Sequence, residues 1–327
     1  MALLTVIDLA VSFFLDEGEV RAVDGVSFEI EEGETVALVG ESGCGKSIVA
    51  LSVLDLVPAP GRIVRGEVRF GQDDLLHVTP KYLRQVRGGE IGMVFQEPGA
   101  ALNPVFPIGR QIAEVLELHQ GLSRSDAQAE AVRVLGNVGI PDPEKRANAY
   151  PFELSGGMSQ RAVIAIATCT HPKLLIADEP TTALDVTVQA EILDLLRDLQ
   201  DRYRMAILLI THDLGVVVEM AQKILVMYTG KLFETGPTEA IFNNPRHPYT
   251  KGLLGAITRL GAGRQAPLQG IPGAVPDLLD LPSGCTFHPR CELADGECTA
   301  AFPPLRAMGI NVKCACHHAG KNTEREP

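Results

Sequence analysis

The chain has 327 residues, of which 46% are hydrophobic and 21% charged, which is enough for a sizeable core and suggests two domains. Its formal net charge of −12 argues against nucleic-acid binding, because neutralising phosphates requires clustered Lys and Arg. The longest apolar runs are strand-length, short of the roughly 20 residues of a spanning helix, and the start MALLTVIDLA lacks the features of a secretory signal. These features predict a soluble chain, which does not exclude docking on a membrane protein.

Strands and helices are predicted to alternate along most of the chain. Strands are predicted at residues 26–30, 35–39, 91–95, 173–178 and 205–210, and a hairpin at 223–236. Helices are predicted at about 46–56 and over 186–204, with mostly helical structure at about 103–167. The helix at 186–204 has one apolar face, formed by Val188, Ile192, Leu195, Leu196 and Leu199. This alternation predicts an α/β fold with a mainly parallel sheet.

A glycine-rich turn between a predicted strand and a predicted helix carries the first chemical motif. It fits the pattern G-x-x-x-x-G-K-[ST] with Gly40, Glu41, Ser42, Gly43, Cys44, Gly45, Lys46 and Ser47. Glycines let backbone N–H groups converge on phosphate oxygens, and the positive end of the following helix points at the same charge. Lys46 is expected to reach the β- and γ-phosphates of a nucleotide, and Ser47 to hold Mg²⁺. The flanking strand and helix disfavour a turn without a ligand.

A pair of carboxylates follows another buried strand. The stretch K-L-L-I-A-D-E-P, residues 173–180, places Asp178 and Glu179 at the strand end. Asp178 is predicted to lie beside the metal, and Glu179 is predicted to polarise an attacking water. An acidic pair alone is a weak signal, because many strands end in acidic turns.

The stretch L-S-G-G-M-S-Q, residues 154–160, places Ser155, Gly156 and Gly157 just before a long helical run. It predicts a second helix N-terminus with exposed backbone donors, and therefore a second anion site. One nucleotide does not need two such sites from one chain, whereas two chains facing each other would use both. An N-capped helix after a flexible loop is the alternative for S-G-G alone.

Together, the motifs resemble the ATP-binding subunits of ABC transporters, and the resemblance spans about residues 1–240. Residues 40–47 match the Walker A motif, 154–160 the signature motif, and 174–179 the Walker B motif with its following glutamate. The resemblance implies that two ATP molecules are sandwiched between two subunits, so that Ser155, Gly156 and Gly157 serve the partner's ATP.

The same resemblance implies roles for residues that carry no signal alone. Gln96 is similar to the Q-loop glutamine, which joins Ser47 and Asp178 at Mg²⁺, and His212 to the switch histidine. Residues 183–185 are similar to the D-loop. Phe13 is expected to stack on adenine, with Phe14 as the alternative.

Finer features resemble the oligopeptide/dipeptide import subfamily, which includes nickel importers. They are the stretches at 96–104 (QEPGAALNP), 178–186 (DEPTTALDV), 244–250 (NPRHPYT) and 287–291 (FHPRC). The resemblance implies a P-loop ABC ATPase domain over 1–258, whose helical subdomain at about 97–167 contacts the permease, and a C-terminal extension over 259–327.

It also implies partners and a location. These are a second, related ABC ATPase subunit, two membrane permease subunits and an extracytoplasmic solute-binding protein, with this chain peripheral on the cytoplasmic face of the cell membrane. No nucleic-acid partner is expected.

Five of the seven cysteines lie in the last 43 residues, namely Cys285, Cys291, Cys298, Cys314 and Cys316. In a cytosolic ATPase a disulfide framework is the weakest interpretation. Four thiolates suit zinc or an iron–sulfur cluster, and their spacing is wider than that of most zinc sites. The subfamily resemblance implies a [4Fe–4S] cluster on Cys285, Cys291, Cys298 and Cys314, with Cys316 as the alternative fourth ligand. Zinc and unliganded thiols remain open.

The resulting hypothesis is an ATPase, converting ATP and water to ADP and phosphate, that drives uptake of oligopeptides or dipeptides. Nickel or another small solute is the alternative within the subfamily. A non-transport ABC ATPase acting on nucleic acid or ribosomes is disfavoured by the acidic charge and the H-P-Y-T segment. A small-molecule P-loop kinase would have no use for the signature motif.

Overall fold

The computed structural model describes residues 2–182, 184–256 and 270–319. Ala183 of the D-loop therefore lies outside the described residues. The strands are β1 (Ala2–Leu15), β2 (Gly18–Glu31), β3 (Thr35–Val39), β4 (Gly61–Phe70), β5 (Asp73–Asp74), β6 (Ile91–Val94), β7 (Leu174–Asp178), β8 (Ala206–Ile210), β9 (Lys223–Tyr228), β10 (Lys231–Pro237), β11 (Arg306–Gly309) and β12 (Val312–Cys314).

The helices at residues 46–53 and 186–203 begin where the sequence predicts, and several helices lie outside the predicted ranges. The helices are α1 (Lys46–Val53), α2 (Pro80–Gly89), α3 (Pro98–Ala101), α4 (Ile108–Gln120), α5 (Arg124–Asn137), α6 (Pro143–Arg146), α7 (Gly156–Thr168), α8 (Val186–Tyr203), α9 (Leu214–Met220), α10 (Thr238–Asn243), α11 (Pro248–Gly255) and α12 (Gly296–Ala300). Short 3₁₀ helices cover Pro151–Glu153 and His288–Arg290. Among the described residues, every helix is too short or too polar to span a bilayer.

One compact unit consists of the described residues of Met1–Leu3, Ile30–Thr35 and His77–Ile210. Its strands pair in parallel in the order β6-β7-β8. All residues of β7 and β8 are buried, as expected for parallel strands covered on both faces. Helix α8 buries Ile192, Leu193, Leu195, Leu196 and Leu199, which confirms the predicted face except that Val188 is half-buried.

The other unit consists of the described residues of Leu4–Glu29, Val36–Leu76 and Thr211–Pro327. It contains a sheet of order β2-β1-β4-β5 and a row of strands in the order β11-β12-β10-β9-β3. Strands β3 and β9 are parallel, and β9 and β10 form the predicted antiparallel hairpin. The extent of β1 and β2, 14 residues each, exceeds the prediction, which placed only a five-residue strand within β2.

The cysteine-bearing segment at 270–319 is built into this second unit. Strand β12 pairs with β10, with Cys314 opposite Glu234. Cys285, Phe287 and Cys298 belong to one hydrophobic cluster with residues of β3, β9, β10 and α11. The segment therefore shares a core with the strand that precedes the glycine-rich loop.

Candidate functional site

The glycine-rich loop links the fully buried strand β3 to helix α1. Gly45 caps α1 with φ +103°, and a Cβ there would lie 2.2 Å from the carbonyl oxygen of Ala22. At Gly40 a Cβ would lie 2.1 Å from the carbonyl oxygen of Met227. Only glycine therefore lets the loop pass so close to β2 and β9.

Lys46 is the first residue of α1, and its side chain is folded over the loop. The residue is 6% exposed, and Nζ donates to the carbonyl oxygens of Gly40 (2.9 Å) and Glu41 (3.0 Å). Ser47 follows on the same helix and is half-buried. Cys44 is a buried residue of the loop, and this burial raises the pKa of its thiol. The loop, the helix N-terminus and the ammonium group form the kind of site that binds phosphates.

Glu41 has partners that the sequence did not reveal. Its backbone N–H donates to the hydroxyl of Tyr249 at 2.9 Å. Its carboxylate accepts from both terminal nitrogens of Arg290, at 2.7 and 3.0 Å. Both partners lie in the stretches NPRHPYT and FHPRC, which resemble the oligopeptide/dipeptide import subfamily.

The predicted carboxylates and Gln96 belong to the other unit. Asp178 ends β7 and is 5% exposed. Glu179 follows with φ +48°, and its N–H donates to the carbonyl of Ile210 at 2.9 Å. A non-glycine residue in this region of φ costs about 1 kcal/mol or more, and such strain is found mostly at functional sites.

The structure brings Gln96 and Glu179 together. Gln96 Nε2 donates to Glu179 Oε2 at 3.0 Å, and Thr182 Oγ1 donates to the same oxygen at 2.7 Å. Thr182 was not identified from the sequence. These donors fix the carboxylate that the sequence assigns to water activation.

The stretch at 154–160 forms the start of α7, as predicted. Ser155 is the N-cap, and its Oγ accepts from the N–H of Met158 at 3.3 Å. Ser155 and Gly156 are exposed. A Cβ at Gly157 would lie 2.9 Å from Val188 of α8, so the glycine is needed for packing there. The exposed helix N-terminus is available to an anion from outside the chain.

His212 is exposed in the loop between β8 and α9. The preceding Thr211 donates its N–H to Leu38 of β3 at 3.3 Å, and the following Asp213 caps α9 through Gly215 at 2.8 Å. His212 is thus held next to the strand that leads into the glycine-rich loop.

The two aromatic candidates for adenine differ in their surroundings. Phe13 is half-buried, and a Cβ at Gly61 would lie 2.7 Å from its ring. Phe14 is 47% exposed, with the Arg62 guanidinium 5.8 Å from its ring centroid.

Four of the five C-terminal cysteines line a small cavity of about 10 Å³. Its lining includes Cys285, Cys291, Cys298 and Cys316. Cys314, the expected fourth ligand, does not line this cavity; it lies on β12, where it is 1% exposed and opposite Glu234. Cys316 lies beyond the end of β12 at Cys314, so the alternation of side chains along that strand, which would put residues two apart on the same side, does not decide where Cys316 points.

Three of the histidines that line the cavity lie close to polar groups. His288 Nδ1 lies 3.0 Å from the carbonyl oxygen of Cys285. His317 lies 3.3 Å from a carboxylate oxygen of Glu297, and His318 lies 3.2 Å from one of Asp295. The donor atoms of Asp295, Cys298 and His318 all lie within 4.8 Å of one another.

The four lining thiols are suited to a soft metal or an iron–sulfur cluster. Burial is the main cause that raises the pKa of Cys285 to about 11 and also raises the pKa of Cys291, Cys298 and Cys316. A cation would favour the thiolates and reverse this effect.

Comparison with known proteins finds two family models in the chain. The ABC transporter family matches residues 23–182, and the oligopeptide/dipeptide transporter C-terminal region matches residues 233–298. The dipeptide transport ATP-binding protein DppD of Escherichia coli is 46% identical over 97% of this chain and 97% of its own length. The oligopeptide transport ATP-binding protein OppD of Bacillus subtilis is 51% identical over 89% of this chain and 82% of its own length.

Solved structures of the same fold extend the comparison. The ATP-binding cassette MJ0796, in a dimeric post-hydrolysis state bound to ADP and Pi, has a TM-score of 0.65 and 26% identity over 72% of this chain and 98% of its own. CbiO1 of Clostridium perfringens has a TM-score of 0.62 and 26% identity over 74% of this chain and 91% of its own. The chain therefore belongs to the ATP-binding proteins of the ABC transporter family, in the group that carries the oligopeptide/dipeptide transporter C-terminal region.

Proposed function

We propose that this chain is the ATP-hydrolysing subunit of an importer of dipeptides or oligopeptides. The observation that carries the proposal is that the oligopeptide/dipeptide region at 233–298 contributes Tyr249 and Arg290 to the glycine-rich loop. The names of the relatives, which are peptide transport proteins, favour a peptide over nickel as the solute.

The residues divide the chemistry between them. Glycines 40, 43 and 45, Glu41, Ser42 and Cys44 form the loop for the phosphates, and Lys46 neutralises their charge. Ser47, Gln96 and Asp178 would hold Mg²⁺, which would stabilise the charge that develops on the phosphates. Phe13 stacks on adenine, and Ser155, Gly156 and Gly157 serve the ATP of the partner subunit.

Hydrolysis depends on a water aligned with the γ-phosphate. Glu179 polarises this water, and Gln96, which donates to Glu179 at 3.0 Å, orients the carboxylate. His212 contacts the γ-phosphate. Closure of two ATPase subunits on two ATP molecules, followed by hydrolysis, then drives the permeases between their access states.

The proposed assembly contains a related second ATPase subunit, two permeases and a solute-binding protein, with this chain on the cytoplasmic face of the inner membrane. The test is co-expression with the two permeases and reconstitution in lipid vesicles with the solute-binding protein. We expect co-purification with the permeases and ATP hydrolysis that rises when a dipeptide is added. Co-purification with RNA or ribosomes, and no effect of peptide on hydrolysis, would contradict the proposal.

For the cysteines we propose a [4Fe–4S] cluster held by Cys285, Cys291, Cys298 and Cys316. The proposal is supported by the cavity that these four thiols line and that Cys314 does not line. Bound to these thiolates, the cluster would join residues 285–316 covalently and would stabilise a segment with little core of its own. Zinc on the same thiolates is the alternative.

The test is iron, zinc and acid-labile sulfide analysis of the full chain purified without oxygen. We expect about four iron and four sulfide per chain. Cys316→Ser should lose the iron, whereas the matched variant Cys314→Ser should keep it. One zinc per chain without sulfide would show a zinc site instead of a cluster. Loss of iron in Cys314→Ser but not in Cys316→Ser would show that Cys314 is the fourth ligand.

A further inference from the structure

Glu41 places a carboxylate in the loop that the proposed function assigns to phosphate binding. The motif leaves this position open, so glycine or a neutral residue would satisfy the pattern equally well. The side chain is 27% exposed. An unpaired carboxylate here would repel a triphosphate, because like charges at short distance in a partly desolvated site interact strongly.

Arg290 pairs with this carboxylate in the fork geometry that is typical of strong guanidinium–carboxylate contacts. Its two terminal nitrogens donate to the two carboxylate oxygens at 2.7 and 3.0 Å. The Arg290 side chain is only 5% exposed. A bidentate pair withdrawn from water is stronger and more specific in direction than a surface ion pair.

The guanidinium is itself fixed by neighbours. Its Nε donates to the carbonyl oxygen of Pro272 at 2.8 Å. One terminal nitrogen also lies 3.2 Å from the hydroxyl of Tyr228, which belongs to β9. Arg290 therefore cannot follow Glu41 if the loop moves, and the pair defines where the Glu41 side chain lies.

The backbone of Glu41 also has a hydrogen-bond partner. Its N–H donates at 2.9 Å to the hydroxyl of Tyr249, which is fully buried on α11. Two residues that are 208 and 249 positions away in sequence thus fix both the backbone and the side chain of one loop residue.

We propose that Arg290 is a positioning residue for nucleotide binding: it neutralises Glu41 and holds the glycine-rich loop in the shape that accepts phosphates. The proposal rests on the assignment of this loop to ATP. It makes the C-terminal region part of the nucleotide site rather than a separate attachment.

The expected consequence concerns ATP affinity more than turnover. Replacing Arg290 by Met leaves the Glu41 charge facing the triphosphate, so the Kd and KM for ATP should rise about tenfold, as expected for the loss of a charged hydrogen-bonded pair. The kcat should change little, because Arg290 contacts neither the water nor Glu179. Arg290→Lys keeps the positive charge but not the two-nitrogen contact, so its Kd for ATP should lie between those of the wild type and Arg290→Met.

The test is ATP titration by calorimetry on the full chain, with ATPase assays on the same samples. Five proteins are compared: wild type, Arg290→Met, Glu41→Gln, the double variant, and Arg133→Met as a matched control. Arg133 forms a similar two-nitrogen contact with Glu130 on α5, so its loss reports what removing an arginine pair does elsewhere.

The proposal predicts weaker ATP binding in Arg290→Met, a smaller loss of binding when Glu41→Gln is added to it, and no change in Arg133→Met. The proposal would be overturned if Arg290→Met weakened ATP binding equally in the wild-type and Glu41→Gln backgrounds. It would also be overturned if Arg290→Met left ATP binding unchanged. If Arg290→Met does not fold, ATP titration of Arg290→Lys, alone and combined with Glu41→Gln, decides whether the effect of Arg290 depends on Glu41. Failure of the wild type to bind ATP would instead overturn the proposed function, and this inference with it.

Discussion

Glu179 illustrates how single residues of this chain are held in costly conformations. It has φ +48°, and its carboxylate accepts from Gln96 and Thr182. Its backbone N–H donates to Ile210 of β8. These three contacts offset the backbone strain and leave the carboxylate with one orientation, as a group that must align a water requires.

Glu179→Gln should abolish ATP hydrolysis while ATP binding is kept. The amide is nearly the same size but cannot accept a proton or polarise water as a carboxylate does, so kcat should fall at least about 100-fold. Phosphate release and ATP titration on the same sample measure the two effects. Unchanged hydrolysis would contradict the role of Glu179.

His247 is a residue whose protonation opposes folding. It is 1% exposed, and its Nδ1 caps α11 by accepting from the N–H of Tyr249 at 3.0 Å. Burial lowers the pKa of His247 to about 3, against about 6.5 in an unfolded chain. As pH falls below about 6.5, the unfolded chain binds a proton that the folded chain does not, so stability is lost toward acid pH.

Between pH 6.5 and pH 5 this histidine should lower the free energy of unfolding by up to about 2 kcal/mol. His247→Asn keeps a good N-cap without a titrating ring and should lose less stability over the same interval. Urea unfolding of both proteins at pH 7.5, 6.5 and 5 measures the difference. If the free energy of unfolding fell equally with pH in both proteins, His247 would not be the group that causes the loss.

The loop between β3 and α1 is the element on which the nucleotide site depends. Its path is decided by close approach to β2 and β9, where there is no room for a side chain at Gly40 or Gly45. The same constraint positions Lys46 at the first turn of α1. The element is therefore sensitive to one added methyl group.

Gly45→Ala should abolish ATP binding. Its Cβ would lie 2.2 Å from a backbone oxygen, and its φ of +103° is unfavourable for alanine, so the loop must move. Gly71→Ala is the control, because its φ is +61° and a Cβ there meets nothing within 4 Å. Gly71→Ala should cost about 1 kcal/mol of stability and leave ATP binding intact; equal loss of binding in both would contradict the argument.

For the molecule as a whole, the C-terminal region is part of a shared core. Cys285, Phe287 and Cys298 pack in one cluster with Tyr228 and Tyr249. Gly284 turns the chain into this cluster, with φ +68° and with a Cβ position 2.3 Å from the carbonyl oxygen of Cys298. Damage to this turn should therefore be felt both in stability and at the glycine-rich loop, through Tyr249.

Gly284→Ala should lower the free energy of unfolding by about 3 kcal/mol, since it combines strain with a backbone clash, and should weaken ATP binding. Gly296→Ala is the matched control in the same segment, because a Cβ there meets nothing within 4 Å. Thermal unfolding and ATP titration of both variants provide the measurement. If Gly284→Ala lowered stability but bound ATP normally, the C-terminal segment would have no effect on the glycine-rich loop.

Much of the fold could be predicted because local chemistry dictates it. Buried runs such as those at 35–39 and 174–178 are apolar on both faces, and α8 has a clear apolar face. The motifs at 40–47 and 154–160 depend on glycines and a capping serine, whose backbone preferences are visible residue by residue. These stretches indicated the ABC ATPase fold, the phosphate loop and the capped start of α7.

Tertiary structure alone decided the contacts between distant parts of the chain. The pairing of Arg290 and Tyr249 with Glu41, and that of Gln96 with Glu179, leave no local pattern. The cavity that Cys285, Cys291, Cys298 and Cys316 share brings together residues that are far apart in the sequence, and Cys314 is placed by the register of β12 against β10. A one-residue change of register reverses which side chains face the core, and spacing in the sequence cannot specify the register of strands that are far apart.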